Sequence, residues 1–386
     1  MPSILNARYG KPPTETGRER TSATMKLKKV AIRNFKGVQE VEFSMETPSQ
    51  APRKLTALLG DNGSGKTSIL QAIALTLSMA TRRTRDIASF NWHGFVPERV
   101  SSLGPTFIEL VVSLEPEEVA LTSELFEAWQ DSLPSDRRQL MKIVPPSGYD
   151  EVTLQFERGR VTSPQGFEAV NQFLGRYYVK ALRDSRPDLR NHFARLGDIF
   201  WFDQHRNLGS LMSEDTTGEG LKHEGWQAGV EQLREYLVGW WGHHTTVARQ
   251  GKDFIRPLEE RFQALFPGTR FVGIMPRSGI TTPRANDFYF LIDRDERTYD
   301  LSEMSSGEQA IFPLIYEFVR LDIQRSIVLI DELELHLHPP EQQRLLAYLP
   351  KLGPDCQFFI TTHSEFLSSA IPNEREVRLD RGMRCL

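Results

Sequence analysis

Only two cysteines, Cys356 and Cys385, occur in the 386 residues. That excludes a disulfide framework and a multi-cysteine zinc site, and a reducing cytoplasm is the expected setting. Long apolar runs are also missing. The strongest are of the kind Ile327–Ile330 and Phe358–Ile360. Against the ~20 residues of a membrane span these exclude an integral membrane protein, and no membrane partner is expected. Nor is there an excess of positive charge. Lys and Arg number 47 against 51 Asp and Glu, a net charge of −4, so nucleic-acid binding would need a local patch. No internal repeat, low-complexity tract or sustained heptad pattern is found, which excludes solenoids and a long coiled coil. What remains is a globular balance of 39% apolar and 25% charged residues. The length suits one large domain or two to three modest ones, at roughly 100–200 residues each.

Residues 1–24 are polar, contain Pro and Gly, and lack the apolar core of a secretory signal. They are expected to be a disordered extension, with Met25 as an alternative start. Lys26–Ile32 and Val38–Phe43 read as strands around a turn. Leu55–Leu59 is almost wholly apolar, as a buried parallel strand should be. It runs into GDNGSGKTS and then into Ile69–Ser78, apolar at helical spacing. Thr106–Leu114 reads as another strand, and 116–285 as mostly helical. In the last hundred residues an apolar helix over Ala310–Leu321 precedes a strand, Ser326–Ile330, that ends in Asp331-Glu332. A helix, Glu341–Leu349, and a strand, Gln357–Thr361, follow, the strand running into Thr362-His363-Ser364.

Gly60-Asp61-Asn62-Gly63-Ser64-Gly65-Lys66-Thr67, followed by Ser68, is a complete G-x-x-x-x-G-K-T. Its glycines let backbone wrap round a phosphate, and the next helix points its first N–H groups at the anion. Lys66 would reach the β- and γ-phosphates of ATP, and Thr67 would ligate Mg²⁺. The acids after Ser326–Ile330 lie where doubly wound sheets place ligands, at a carboxyl strand end. Asp331 would hold Mg²⁺, and Glu332 would deprotonate the attacking water. His363, just past a buried strand, would sense the γ-phosphate; an ordinary strand-end histidine is the plainer alternative. Leu301–Gln309 opens a helix with Ser305 and Gly307. It could bind an anion or be a simple cap, since Ser305 and Glu308 have capping-box spacing.

These pieces in this order resemble the ATP-binding-cassette class of P-loop ATPases. Within it they are similar to the RecF-like branch, near the heads of structural-maintenance-of-chromosomes proteins and the ATPase half of overcoming-lysogenization-defect nucleases. MKLKKVAIRNFKG, from Met25, resembles the first strand and turn of that branch, and the resemblance implies nucleotide contact for Asn34. MSSGEQ resembles the signature, giving Ser305 and Gly307 the signature roles. DELELHLHP, from Asp331, resembles Walker B and its following loop, and ITTHS the switch-histidine segment. The implied fold is an α/β P-loop ATPase lobe built from 25–115 and 286–386, with a mostly helical insertion over 116–285. The implied function is ATP binding and hydrolysis in a homodimer or higher oligomer. There the P-loop of one protomer and the signature of another enclose each nucleotide. Three roles compete: regulator of a bacterial anti-phage system with a separately encoded effector nuclease or toxin, a DNA repair clamp of RecF type binding DNA, and a transporter's nucleotide-binding subunit.

The family's magnesium-binding glutamine has no counterpart in 81–105, where Asn91 or a backbone group would have to substitute. Past the switch histidine there is no room for the toprim nuclease of some relatives. Arg82, Arg83 and Arg85 read as a solvated helix end, with phosphate-backbone contact as the alternative. Phe200–Phe202 reads as a strand in the core of the insertion, and Arg206 as a candidate for coupling it to nucleotide. Trp240–His244 reads as a helix end. His336 and His338 are expected to shape the loop after Walker B at the dimer interface.

Overall fold

The computed structural model describes residues 25–84, 86–90, 92, 94–140, 143–186, 188–189, 192, 195–204, 226–246, 251–279, 284–380 and 383–385. The expectations for 1–24, Arg85, Asn91 and Arg206 fall outside them. In chain order the strands are β1 (Lys26–Phe35), β2 (Val38–Ser44), β3 (Leu55–Leu59), β4 (Phe107–Ser113), β5 (Glu151–Glu157), β6 (Arg160–Thr162) and β7 (Ile199–Phe202). They continue as β8 (Thr269–Pro276), β9 (Phe288–Arg294), β10 (Arg297–Asp300), β11 (Ile327–Ile330), β12 (Gln357–Thr362), β13 (Glu376–Asp380) and β14 (Met383–Cys385). The helices are α1 (Lys66–Ala80), α2 (Pro116–Ser132), α3 (Ser135–Leu140), α4 (Phe167–Asn171), α5 (Gly175–Leu182) and α6 (Trp226–Thr245). Then come α7 (Ile255–Leu265), α8 (Ser306–Arg320), α9 (Pro339–Leu352) and α10 (Glu365–Ala370).

Eleven strands form one sheet in the order β6-β5-β4-β1-β2-β14-β13-β3-β12-β11-β7. One half, β6 to β2, is antiparallel. The other, β13 to β7, is parallel, and β14 bridges them by pairing with both β2 and β13. The parallel strands β3, β11 and β7 are largely apolar on both faces because helices and the second sheet cover both sides. Their side chains alternate between two cores. Ile327 and Leu329 join the core containing α1, β1 and β4, whereas Val328 and Ile330 join that of α7, α8 and α9. All four are fully buried, each worth about 1.5–3 kcal/mol of gross burial.

The stretch 116–285 carries strands as well as helices. Strands β5 and β6 extend the antiparallel half, and β7 pairs in parallel with β11, Ile199 beside Ile327. Phe200–Phe202 therefore lies in the sheet that carries the phosphate loop, not in a separate insertion core. Trp240 stacks on Phe254 and Tyr316 and holds α6 against α8, while His244 pairs with Asp253 at 2.9 Å. Strands β8 to β10 form a second, antiparallel sheet.

Candidate active site

Gly60 follows β3, Asp331 follows β11 and His363 follows β12, and β3, β12 and β11 are adjacent. Parallel strands deliver their carboxyl ends to one edge, so three motifs separated by up to 300 residues of chain converge without any long loop.

The phosphate loop has the backbone its glycines were expected to permit. Gly63 and Gly65 take φ of 81° and 95°, left-handed values in which an L side chain would be strained. Space is tight as well: a Cβ on Gly65 would stand 2.9 Å from Val38 Cγ2. Lys66, 7% exposed, curls back so that Nζ donates to the carbonyls of Gly60 at 2.7 Å and Asp61 at 3.0 Å. Ser64 Oγ is buried and has no hydrogen-bond partner among the described residues. Asp61, Asn62 and Gly63 are exposed, and Ser68 is half-buried on the first turn of α1.

Thr67 Oγ1 donates to Asp331, 2.9 Å from Oδ2 and 3.0 Å from Oδ1. The two residues predicted to share a metal are thus in direct contact. A hydroxyl beside a carboxylate is the oxygen donor set that Mg²⁺ takes in nucleotide sites, so the residues fit that ion. Asp331 is 2% exposed and also accepts from Thr361 Oγ1 at 2.6 Å. The same Thr361 oxygen accepts from the backbone N–H of Glu332 at 2.7 Å. Glu332 has φ of 46° and is half-buried, so the chain turns sharply at the residue assigned as general base. His363 is exposed, and both its backbone N–H and Nδ1 lie against Glu334 Oε1. Sequence reading passed over Thr361 and Glu334. Their signal was present, a polar residue in an apolar strand and a second acid three residues past Asp331.

Asn34 lies near the carboxyl end of β1, with φ of 52°. Its Nδ2 donates to Pro105 O at 3.3 Å, and among the described residues it makes no hydrogen bond to Gly60–Ser68. Lys36, in the turn between β1 and β2, reaches further. Its Nζ donates to Gln71 Oε1 of α1 at 2.7 Å and to Gly94 O at 3.0 Å. Burial lowers the Lys36 pKa, and the negative charge of Asp331 opposes that shift. A lysine therefore stands in the field of Asp331 on the side where the family's glutamine is missing.

Ser305 caps α8, and the capping box is complete. Ser305 Oγ and N both lie 2.8 Å from Glu308 Oε2, while Glu308 Oε1 accepts from Tyr299 at 2.8 Å. Such a cap contributes about 1 kcal/mol. Ser305 and Ser306 remain exposed, and Gly307 is buried. A Cβ at 307 would stand 2.7 Å from Glu341 Oε2, so a larger residue there would displace the Glu341 carboxylate. Among the described residues neither Ser305 nor Gly307 bonds to Gly60–Thr67. His336 and His338 are exposed in the loop before α9.

Of the described arginines after α1, Arg82 is exposed and Arg83 is half-buried. Arg83 pairs with Asp198 at 3.1 Å, and Arg82 lies over the Tyr177 ring. Arg83 braces β7 through Asp198 and departs from the expected solvated helix end, whereas Arg82 stays at the surface.

Two families match this chain. "AAA ATPase domain" covers residues 25–124, and "AAA domain, putative AbiEii toxin, Type IV TA system" covers 241–369. Among curated proteins, "Retron Ec83 probable ATPase" of Escherichia coli is 22% identical, aligned over 93% of this chain and 72% of that protein. "Septu protein PtuA" of Bacillus mycoides (strain KBAB4) is 25% identical over 93% of this chain. The match spans 41% of that relative's length. "Retron Vc95 probable ATPase" of Vibrio cholerae is 20% identical over 92% of this chain and 73% of that protein. A solved Smc head bound to the C-winged helix domain of ScpA is 15% identical, with a TM-score of 0.46, over 93% of this chain and 95% of that one. Both matched families are ATPase families, and each half of the chain carries its motifs. The protein is a P-loop ATPase, an ATP hydrolase with an α/β sheet. Among the described residues no helix is long and apolar enough to cross a membrane.

Proposed function

We propose that ATP closes a head-to-tail dimer of this chain and that hydrolysis reopens it, so that the nucleotide state governs a partner. The observation that carries this reading is the placement of Ser305 and Ser306. They lie exposed at the start of a 15-residue helix, where N–H groups favour an anion, yet they make no bond to the chain's own phosphate loop. A second phosphate site makes sense when it serves the nucleotide of another protomer. Lys66 would exchange the carbonyls of Gly60 and Asp61 for phosphate oxygens, and Thr67 and Asp331 would hold Mg²⁺. That ion, when bound, neutralises phosphate charge. Glu332 takes the proton of the attacking water, and His363 meets the γ-phosphate. ATP then acts as a ligand of the closed state, shifting the population by its differential affinity.

Similarity to retron and Septu proteins supports a role in bacterial anti-phage defence, as the ATPase that regulates a separately encoded effector nuclease or toxin. Light scattering on the Glu332→Gln protein, which should retain ATP, tests the closure. ATP should double its mass, and adding Ser305→Arg should abolish the change while leaving ATP binding intact. A mass independent of ATP in the Glu332→Gln protein contradicts the reading.

A further inference from the structure

We propose that Glu334 is a positioning residue for hydrolysis, fixing the imidazole of His363 in one orientation and one tautomer. The inference rests on the reading of His363 as the group that meets the γ-phosphate.

Glu334 lies in the turn after β11 and is 6% exposed. A backbone bond from Leu337 N to Glu334 O at 2.9 Å, and one from Leu333 N to Thr361 O at 3.1 Å, pin that turn to itself and to β12. Its Oε1 accepts from the backbone N–H of His363 at 2.7 Å and stands 2.9 Å from His363 Nδ1. One carboxylate oxygen therefore holds both the main chain and the ring of the same residue. The other oxygen, Oε2, is buried and has no hydrogen-bond donor among the described residues. Both contacts to His363 are thus concentrated on a single carboxylate oxygen.

An ionised carboxylate can only accept, so Nδ1 must carry the proton. A neutral imidazole in water prefers its proton on Nε2, and Glu334 reverses that preference. Nε2 is left as the ring nitrogen that can turn to water or phosphate. A carboxylate behind a working histidine sets tautomer and ring direction in the same way at metal sites.

This contact is one of several between the ends of β11 and β12. Two residues earlier, Thr361 holds Asp331 and the Glu332 N–H. A displacement of His363 by phosphate is therefore passed to the turn that carries the general base, through groups bonded within 2.9 Å of one another.

The test begins with ¹⁵N NMR of the ring nitrogens in nucleotide-free protein at alkaline pH, with His363 identified by its loss in His363→Gln. Wild type should show the proton on Nδ1, and Glu334→Ala should move it to Nε2. Steady-state kinetics should then show kcat lowered about 10- to 100-fold in Glu334→Ala, the scale on which removing a histidine's orienting partner acts, with unchanged affinity for ATP. Glu334→Gln, whose amide oxygen can accept both N–H groups, should stay within about threefold of wild type. A wild-type proton on Nε2 overturns the proposal, and this measurement needs no variant of Glu334 to fold. Equal damage from Gln and Ala also overturns it, because charge and not orientation would then be at stake. A tautomer as expected in a protein without ATPase activity would leave Glu334 as assigned and instead contradict the role given to His363.

Discussion

The parallel strands end in two polar surroundings that differ in how much of each is already spoken for. At the carboxyl ends stand buried Lys66 and Asp331, half-buried Glu332 and exposed His363, held by bonds that a ligand could replace. At the amino ends of β7 and β11 lies a sealed cluster. Asp198, 3% exposed, takes Arg83 at 3.1 Å and Arg176 at 2.9 Å, its own carbonyl accepts from Ile327 N at 2.8 Å, and Glu118 accepts from Gly197 N at 2.9 Å. Both clusters contain carboxylates and cations of similar number, so charge alone does not mark the site. Partners that a ligand could replace, and the exposed His363, do. The carboxyl-end groups are arranged for turnover, and the amino-end groups for holding β7 and α5 on the sheet.

Substitutions at the two ends should therefore fall into separate classes. The largest effect is expected from Glu332→Gln, which keeps shape and hydrogen bonding but cannot take a proton at neutral pH. Its kcat should drop about 10²–10⁴-fold, with melting temperature unchanged, as turnover assays and calorimetry would show. Asp198→Ala should do the reverse. Removing one partner of a buried pair costs about 3–5 kcal/mol, visible in urea unfolding, while the affinity of the folded fraction for ATP should hold. Lys66→Ala should weaken ATP binding about 100-fold, the worth of a strong charge-assisted contact, with no loss of stability by the same unfolding assay.

A pH-dependent effect concerns Glu118, whose pKa burial pushes up from 4.5 to about 7. Between those values the unfolded chain ionises while the native state keeps its proton, so the native state binds more protons and stability falls as pH rises. Above pH 7 the loss is complete, at most about 3 kcal/mol. Glu118→Gln keeps the bond from Gly197 and should flatten this slope, making the variant the more stable protein above pH 7 and leaving ATPase turnover unchanged. Equal pH slopes in both proteins would remove Glu118 from this account.

The carboxyl end was largely legible from sequence, and the amino end was not. Gly60–Thr67 is contiguous, and its chemistry depends on local backbone, so reading it needs no partner. Leu55–Leu59 was placed to the residue, and Ser326–Ile330 to within one, because buried parallel strands are apolar throughout. Phe200–Phe202 has the same composition, but its neighbour in the sheet lies over a hundred residues away, and an apolar run does not say which strand it pairs with. The closing strands β13 and β14 are short and mixed in polarity, and they take their meaning from β3 and β2. Arg83 reads as a surface charge until Asp198 is brought to it. Glu334 and Thr361 were missed for a related reason: each is an ordinary residue in its own segment, and only the register of β11 beside β12 makes them partners.

The central claim, that each nucleotide is enclosed by two copies of this chain, is tested most directly by mixing two defective proteins. Both would carry Glu332→Gln, one with Lys66→Ala and the other with Ser305→Arg. Either alone lacks a complete site, and light scattering with ATP should find monomers. In the mixture one site is whole, with the phosphate loop of the Ser305→Arg protein facing the intact Ser305 of the other, and an ATP-dependent dimer should appear. If the mixture stays monomeric, or if Ser305→Arg alone dimerises as fully as its parent, the enclosure is wrong and Ser305 is a helix cap.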